Sequence, residues 1–363
     1  MYAFDVLSVK YSGASHEAYL EVRIEGLPIG QEVDLDRLQN FLDRRKSGKY
    51  AFSTPRREED KAEVVEGLAD GKITGPVIVR IKNGNTRPAD YSFDRVPRPS
   101  HADYVAKVKY GRAPSGGGAF SGRMTALTCI AGGICVQLLE KFGVRIASYI
   151  SEIGGLDCYT YDNGTPKYED IERCHGYAFP VPDPSKIGLV EERLRSVAAS
   201  GDTVGGTIET VVYDSPVGVG GPIYDGLEGK VASALFAIPA VKAVESGLGR
   251  GFSSRTGLSA NDAFCVADGK VMTVTNRSGG INGGIANGMP ITFRTTFRPT
   301  PSVAAEQITA DLSTGENVPL TISGRHDVAF LPRAVVVTEA AVALAYLDAA
   351  LTDGQLFDKN KNE

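Results

Sequence analysis

SGRMTALTCIAGGICVQLLEKF, residues 121–142, carries Leu127, Ile130, Ala131, Ile134, Val136, Leu138 and Phe142 at positions that run round the whole circumference of a helix. A helix that is apolar on every side has to be covered on every side. The stretch therefore reads as a buried central helix, and the triplet Gly116, Gly117 and Gly118 as the turn that delivers the chain into it. Working outward, Leu20, Val22 and Ile24 alternate with Glu21, Arg23 and Glu25, which predicts a half-buried strand over 18–25, broken by Gly26 and Pro28. Asp34 is placed to cap a helix with Leu38, Phe41 and Leu42 on one face. Residues 76–82 read as another strand, and 83–118, rich in Pro, Gly and Arg, as a long functional loop. Helices are expected near 185–199, near 227–237 with a stop at Pro239, and near 338–351, with a strand near 206–213. Strands and helices are interspersed without a clean linker, so the expectation is one α/β domain over 1–352 and a polar C-terminal tail over 353–363.

Composition narrows the function classes. The 363 residues give ample apolar side chain for a core without disulfides. Lys+Arg is 39 against Asp+Glu 44, a formal charge of −5, which together with the lack of an RNA-binding aromatic motif argues against nucleic acid as partner. The five cysteines, Cys129, Cys135, Cys158, Cys174 and Cys265, are odd in number and none has C-x-x-C spacing, so reduced thiols in the cytoplasm are expected and no metal site. The opening MYAFDVLSVKYSG has no basic segment leading into an apolar core, and no run approaching about 18 apolar residues is evident. Neither a signal peptide nor a membrane span is expected.

Four histidines are present, and His16, His101 and His326 lie in the polar contexts GASHE, RPSHAD and GRHD. They suit either proton transfer or plain exposed loops. Cys174-His175 has no partners at metal spacing and reads as structural. Arg44, Arg45, Lys46, Lys49, Arg56 and Arg57, with Arg98, Arg112 and Arg123, suit either a pocket for a phosphate or carboxylate or a solvated face. The 42 glycines cluster in VGVGGP (217–222) and SGGINGGIANG (278–288), but neither a dinucleotide-binding fingerprint nor a P-loop is present.

Taken together and in order, these segments resemble the chorismate synthases. The carriers are GASHE (13–17), DRRKSG (43–48), TPRREED (54–60), RPSHADYV (98–105), KYG (109–111) and GGGAFSGRMT (116–125). They continue with GDTVGG (201–206), PIYD (222–225), AIPAVKAVE (237–245), GGINGGIANGMPI (279–291), RPTPSV (298–303) and RHDVAFLPRAVVVTEA (325–340). The resemblance implies a β-α-β sandwich of antiparallel sheets around long central helices, assembled as a homotetramer and using FMN in its reduced form. It implies conversion of 5-enolpyruvylshikimate 3-phosphate to chorismate and phosphate by anti-1,4-elimination. Under it His16 protonates the departing phosphate, His101 protonates or hydrogen-bonds the reduced flavin near N1, and Asp327 assists proton removal through flavin N5. Arg45, Arg123 and Arg325 hold the phosphate and carboxylates, while Ser121, Pro239, Ala240, Gly283, Arg298, Pro299, Thr300, Pro301, Ser302 and Arg325 approach FMN. No appended reductase segment is visible, so an external flavin reductant is expected.

This chain also departs from the family pattern. Ala14 and Glu17 replace a glutamate and a glycine, Ala51 and Ala119 replace arginines, and Phe120 and Met124 replace a serine and a glutamate. Two lost cations each cost about 1.5 to 3 kcal/mol of charge-assisted binding unless Lys49 or Arg112 substitutes. Two readings follow, a divergent working chorismate synthase and a non-enzymatic or repurposed flavin-binding paralogue.

Overall fold

The computed structural model describes residues 2–15, 17–48, 52–54, 58–84, 93–159, 164–267, 269–322, 327–354 and 356. Its first sheet is built from β1 (Tyr2–Ala3), β2 (Ser8–Gly13), β3 (Tyr19–Glu25), β4 (Ala62–Ala69) and β5 (Lys72–Lys82), in the antiparallel order β1-β2-β3-β5-β4. The alternation read in the sequence sets its register: Leu20, Val22 and Ile24 lie opposite Ile81, Val79 and Val77, and all six are buried. Between β3 and β4 comes α1 (Leu35–Asp43), where Asp34 caps as expected, its carboxylate accepting from the Asp36 and Arg37 amides at 2.9 and 3.0 Å.

The expected loop over 83–118 contains a helix, α2 (Asp103–Tyr110), which the sequence reading missed. Its apolar residues Tyr104, Val105, Val108 and Tyr110 face outward and only Ala106 and Asp103 are buried, so no inward stripe marks it. The central helix expected over 121–142 is α3 (Thr125–Glu140), preceded by a short 3-10 turn.

The second sheet takes β6 (Arg145–Ile153), β7 (Leu156–Asp157), β8 (Gly206–Tyr213) and β9 (Val241–Ser246), with α4 (Tyr168–Cys174), α5 (Ile187–Ala199) and α6 (Leu227–Phe236) between them. The short α7 (Gly257–Ala260) and the hairpins of β10 (Phe264–Ala267) with β11 (Lys270–Thr273) and β12 (Ile281–Asn282) with β13 (Ile285–Ala286) precede its last member, β14 (Ile291–Phe297). The order is β7-β6-β8-β14-β9, antiparallel throughout. A final hairpin, β15 (Gln307–Asp311) and β16 (Glu316–Leu320), leads into α8 (Leu331–Thr352).

The two helices α3 and α8 pack on each other between the two sheets, and one apolar cluster runs from Leu20 and Val79 through Ile130 and Ala340 to Ile208 and Phe293. This is the expected β-α-β sandwich. Strand β8 is buried along almost its whole length because α8 covers one face while Ile171 and Cys174 of α4 cover Val211 and Tyr213 on the other. The Cys174-His175 pair is structural, as read: the cysteine fills this smaller cluster and His175 Nε2 lies 2.8 Å from the Ser148 carbonyl.

Four polar residues of α8 are buried and each has a partner, Thr338 Oγ1 donating to the Val335 carbonyl at 2.8 Å. Asp348 accepts from the backbone amides of Asp5, Val6 and Leu7 at 3.1, 2.8 and 2.8 Å, tying the N-terminal segment to the helix. Glu339 takes both Arg44 nitrogens at 2.6 and 2.7 Å, and the Tyr346 hydroxyl meets Ser215 Oγ at 2.6 Å.

The expectation of no segment able to span a membrane needs correction. Two helical stretches, 122–140 and Leu331–Thr352, are long and apolar enough to do so, but the fold buries both as its core. Helix α8 also begins seven residues before the expected 338, since Leu331 and the run Val335, Val336 and Val337 belong to it. All five cysteines are free thiols and four of them are buried.

Candidate active site

A cavity of about 710 Å³ opens where the first turns of α3 and α8, the segment before α2, the end of α6 and the 298–302 segment meet. Its floor is cationic. Arg45, one residue past the cap of α1, and Arg123, in the 3-10 turn ahead of α3, are almost wholly buried. They share two carboxylates. Arg45 Nη2 lies 3.3 Å from Asp60 Oδ2 and 3.7 Å from Glu58 Oε2, while Arg123 Nη1 lies 3.0 Å from Glu58 Oε2 and donates to Asp60 Oδ1. Burial opposes ionisation of Asp60, but Arg45 and Arg123 outweigh it and hold its pKa below the usual range. Even so, Nε and Nη2 of Arg45 are buried without a hydrogen-bond partner among the described residues.

The second cluster is built around Asp327, just ahead of α8. The Thr54 amide donates to its Oδ1 at 2.8 Å, and Arg333 Nη1 stands 3.3 Å from both oxygens. Arg333 Nε donates in turn to the Arg45 carbonyl at 3.1 Å, so the two clusters share a frame. Burial pulls the Arg333 pKa down, against the pull of Asp327.

A third cluster presents His101. Its Nδ1 is 2.7 Å from Asp103 Oδ1, and the same carboxylate accepts from Arg98 Nε and Nη2, both at 2.8 Å. The opposite edge of the imidazole faces the Gly116, Gly117 and Gly118 turn. Gly117 has φ +108, and a Cβ there would come within 3.8 Å of His101 Cε1 and Nε2. The positive φ is what calls for glycine there. Ala240, at φ +76, is an alanine in the left-handed region beside the same cavity, and its carbonyl accepts from the Arg298 amide at 3.0 Å.

Most of the residues singled out in the sequence therefore come together. Arg45, His101, Ser121, Arg123, Pro239, Ala240, Arg298, Thr300, Pro301, Ser302 and Asp327 all line this one cavity. His16 and Arg325 lie outside the described residues, as do Lys49 and Ala51. Pro299 is exposed and does not line the cavity, its neighbours Arg298 and Thr300 turning inward instead. Gly283 is not brought to it either. It is exposed in the turn between β12 and β13, whose next residue, Gly284, packs so closely on Gly221 that a Cβ there would be 2.1 Å from the Gly221 carbonyl oxygen.

The basic run was not a solvated face at Arg44 or Arg45, and Arg112, a candidate replacement cation, is exposed and outside the cavity lining. Arg98, Arg333 and Lys242 are the lining cations that accompany Arg45, Arg123 and Arg298. The sequence reading missed Arg333, Glu58, Asp60 and Asp103 as site residues, although each sits inside a quoted motif. Ala119 and Phe120 line the cavity where the family pattern has arginine and serine, and Phe120 leans on Tyr110 with ring centroids 6.4 Å apart.

The sequence profile of the family described as "Chorismate synthase" matches residues 7–351. The chain belongs to the chorismate synthase family. A chorismate synthase of Thermococcus gammatolerans is 43% identical over 350 residues, covering 94% of this chain and 95% of that one. A chorismate synthase of Synechococcus sp. is 41% identical over 354 residues, covering 95% of both. The solved structure "Crystal Structure of Chorismate Synthase" superposes with a TM-score of 0.75 at 25% identity, covering 96% of this chain and 93% of that one. As a chorismate synthase the protein is a carbon–oxygen lyase acting on a phosphate ester, and the comparisons give no support to the repurposed-paralogue reading.

The buried carboxylates predict an acid limit to the fold. Asp103 is held far below the usual carboxylate range by Arg98 and His101 against the opposing effect of burial, and Asp60 is held below it as described. A carboxylate with a depressed folded pKa stabilises fully above the unfolded value of about 3.9 and loses that contribution as pH falls through the folded one. The urea midpoint should therefore hold steady from neutral pH down to about 5 and drop steeply below about 4. A midpoint unchanged at about pH 3 would show that these ion pairs add nothing to stability.

Proposed function

We propose that the chain catalyses the reduced-FMN-dependent anti-1,4-elimination of phosphate from 5-enolpyruvylshikimate 3-phosphate, giving chorismate and phosphate. The observation that carries this reading is the convergence of Arg45, Arg123, Arg333, His101 and Asp327 on one cavity, with two Arg45 nitrogens buried and lacking a hydrogen-bond partner among the described residues. Guanidinium groups suit a site that receives an anionic group, and Arg45 Nε has neither a hydrogen bond nor an ion pair among the described residues. The walls fit the rest of the pair: Phe236, Ile238, Pro239, Ala240, Phe297 and Phe330 offer apolar surface for a flat ring system, and five arginines and Lys242 also line the cavity, with Glu58 and Asp327 as its carboxylates. What bound reduced FMN supplies is an electron lent to the breaking C–O bond and then recovered, so that the reaction has no net redox change.

The chain's own residues do the remainder. Arg45 and Arg123, with Arg325, hold the phosphate and carboxylates of the substrate. His16 gives a proton to the departing phosphate, and His101 offers a ring nitrogen to the cofactor from beside Gly117. Asp327, fixed by the Thr54 amide and Arg333, assists removal of the ring proton. The 298–302 segment, Ser121, Pro239 and Ala240 contact the cofactor. Gly283 has no part in this chain's own cavity.

The unit over 1–352 works as one chorismate synthase-like domain, with Asp353 and Leu356 of the tail 353–363 packed on it, in the cytoplasm, as a homotetramer, with reduced flavin from a separate reductant. The family and the five free thiols support this setting.

The test is anaerobic turnover with chemically reduced FMN and 5-enolpyruvylshikimate 3-phosphate, assaying chorismate and phosphate in parallel. Equal appearance of both is expected. Folded protein giving neither, beside an active control enzyme, overturns the reading. His16→Ala should lower kcat by about 10²-fold or more with the fold intact, as loss of a general acid does, and an unaltered rate would remove His16 from the mechanism.

A further inference from the structure

We propose that Asp103 is a positioning residue that fixes His101 as its Nδ1–H tautomer and so presents Nε2 to the cavity as an acceptor. Two groups compete for His101 Nδ1. Asp103 Oδ1 lies 2.7 Å away and Arg98 Nη2 lies 3.0 Å away. If Nδ1 were bare, Arg98 could donate to it, but its lone pair would also face a carboxylate oxygen at hydrogen-bond distance with no proton between them. Asp103 is a poor source of that proton, since the Arg98 guanidinium, against the opposing effect of burial, holds its carboxyl well below the usual carboxylate range. Arg98 has no need of the imidazole either. Its Nε and Nη2 are satisfied by the two Asp103 oxygens at 2.8 Å, its Nη1 by Ser302 Oγ at 3.2 Å, and its guanidinium carbon sits 4.3 Å from the centre of the Phe93 ring. The proton therefore belongs on Nδ1, donated to Asp103.

The consequence lies on the other edge of the ring. With Nδ1 protonated, the neutral imidazole has Nε2 as its one acceptor, on the ring edge away from Asp103, and His101 lines the cavity. Because Asp103 is wholly buried on α2 and accepts at Oδ2 from the Arg98 amide at 3.1 Å, the imidazole is held in one orientation by backbone as well as side chain. This assignment gives α2, a helix with little burial of its own, a reason to be ordered against the site.

Asp103→Asn inverts the arrangement. Two Arg98 donors, the amide and Nε, converge on the Oδ2 position, whereas Oδ1 meets one Arg98 donor, Nη2, and a His101 nitrogen that can change tautomer, so the asparagine oxygen takes the Oδ2 place and its NH₂ replaces Oδ1 beside His101. Nδ1 must then accept, and the cavity-facing Nε2 becomes a donor.

The experiment is ¹⁵N NMR of histidine-labelled protein at about pH 8.5, two units above the ordinary histidine value of about 6.5, with the His101 signals identified by their absence in His101→Asn. Wild type should show Nδ1–H and Asp103→Asn should show Nε2–H. The variant should lose kcat by about 10²-fold or more, with KM for 5-enolpyruvylshikimate 3-phosphate within about threefold of wild type. Wild type found as Nε2–H overturns the proposal, and so does a variant that keeps wild-type kcat. If Asp103→Asn does not fold, the wild-type tautomer alone decides. The kinetic arm rests on the function proposed above, whereas the tautomer does not. An inactive wild type with Nδ1–H would sink that function and leave this assignment standing.

Discussion

Gly132→Ala should destabilise the protein by about 3 kcal/mol or more, at the upper end of what overpacking costs. Replacing a glycine inside a helix by alanine normally helps by about 1 kcal/mol, because glycine gives up more backbone entropy. Here a Cβ on Gly132 would lie 2.3 Å from the Ala340 Cα and 2.4 Å from its Cβ and carbonyl oxygen. Those are backbone and near-backbone atoms of α8, so no rotamer change relieves the clash and the two central helices must separate. The neighbouring Gly133 is the control. A Cβ there meets Leu38 Cδ1 and Phe41 Cδ1 at 2.9 Å, which are side-chain atoms, so α1 side chains and not the α8 backbone take up the strain. Denaturant midpoints of the two variants should differ widely, with Gly132→Ala far lower, and equal midpoints would show that α3 and α8 are not held at contact distance. Activity should fall with stability in Gly132→Ala, because Arg123 precedes α3 while Arg333, Ala334 and Val337 on α8 line the cavity. The same close approach that builds the core sets the width of the site.

That contact explains what the sequence revealed and what it withheld. The apolar run through Leu127, Ile130 and Ile134 announces a covered helix, and AGGIC in its middle is where another backbone comes close, yet nothing in the run names the partner. Asp34, Leu20, Val22 and Ile24 were legible because a cap and a two-residue alternation are local signals. The start of α8 was not: Val335, Val336 and Val337 are β-branched and disfavour helix, and burial in the core, where α8 packs on α3, α6 and the second sheet, overrides them. Helix α2 hid for the opposite reason, its tyrosines and valines facing solvent.

At the site, the histidines and arginines announced themselves as scarce or clustered residue types. Glu58, Asp60 and Asp103 did not. Acidic residues in loops are ordinary surface chemistry, and only the fold shows that these are buried against Arg45, Arg123 and Arg98. Arg333 was likewise invisible, since its role comes from holding Asp327 and the Arg45 carbonyl, two groups far apart in the chain.

Asp60→Asn should lower the stability of the ligand-free protein by about 3 kcal/mol, the low end for breaking a buried ion pair on one side. The substitution is isosteric, and asparagine tolerates the left-handed backbone at this position, where φ is +45, so the change is one of charge and not of shape. It leaves Arg45 and Arg123 buried with only Glu58 between them. An anion entering the cavity can replace the lost charge. Phosphate should therefore raise the urea midpoint of Asp60→Asn more than that of wild type, because binding to the folded state alone stabilises in proportion to the logarithm of occupancy. Urea is the denaturant of choice, since guanidinium chloride would screen the interaction. In wild type Asp60 already neutralises part of the pair, and phosphate should shift the midpoint less. An equal shift in both proteins would mean that added anions do not reach Arg45 and Arg123, and the substrate's phosphate would then have to be held elsewhere in the cavity. A larger shift in the variant locates the anion subsite at this pair. It also gives Asp60 its physical role, which is to keep two buried guanidinium groups stable and close together until the substrate's phosphate arrives.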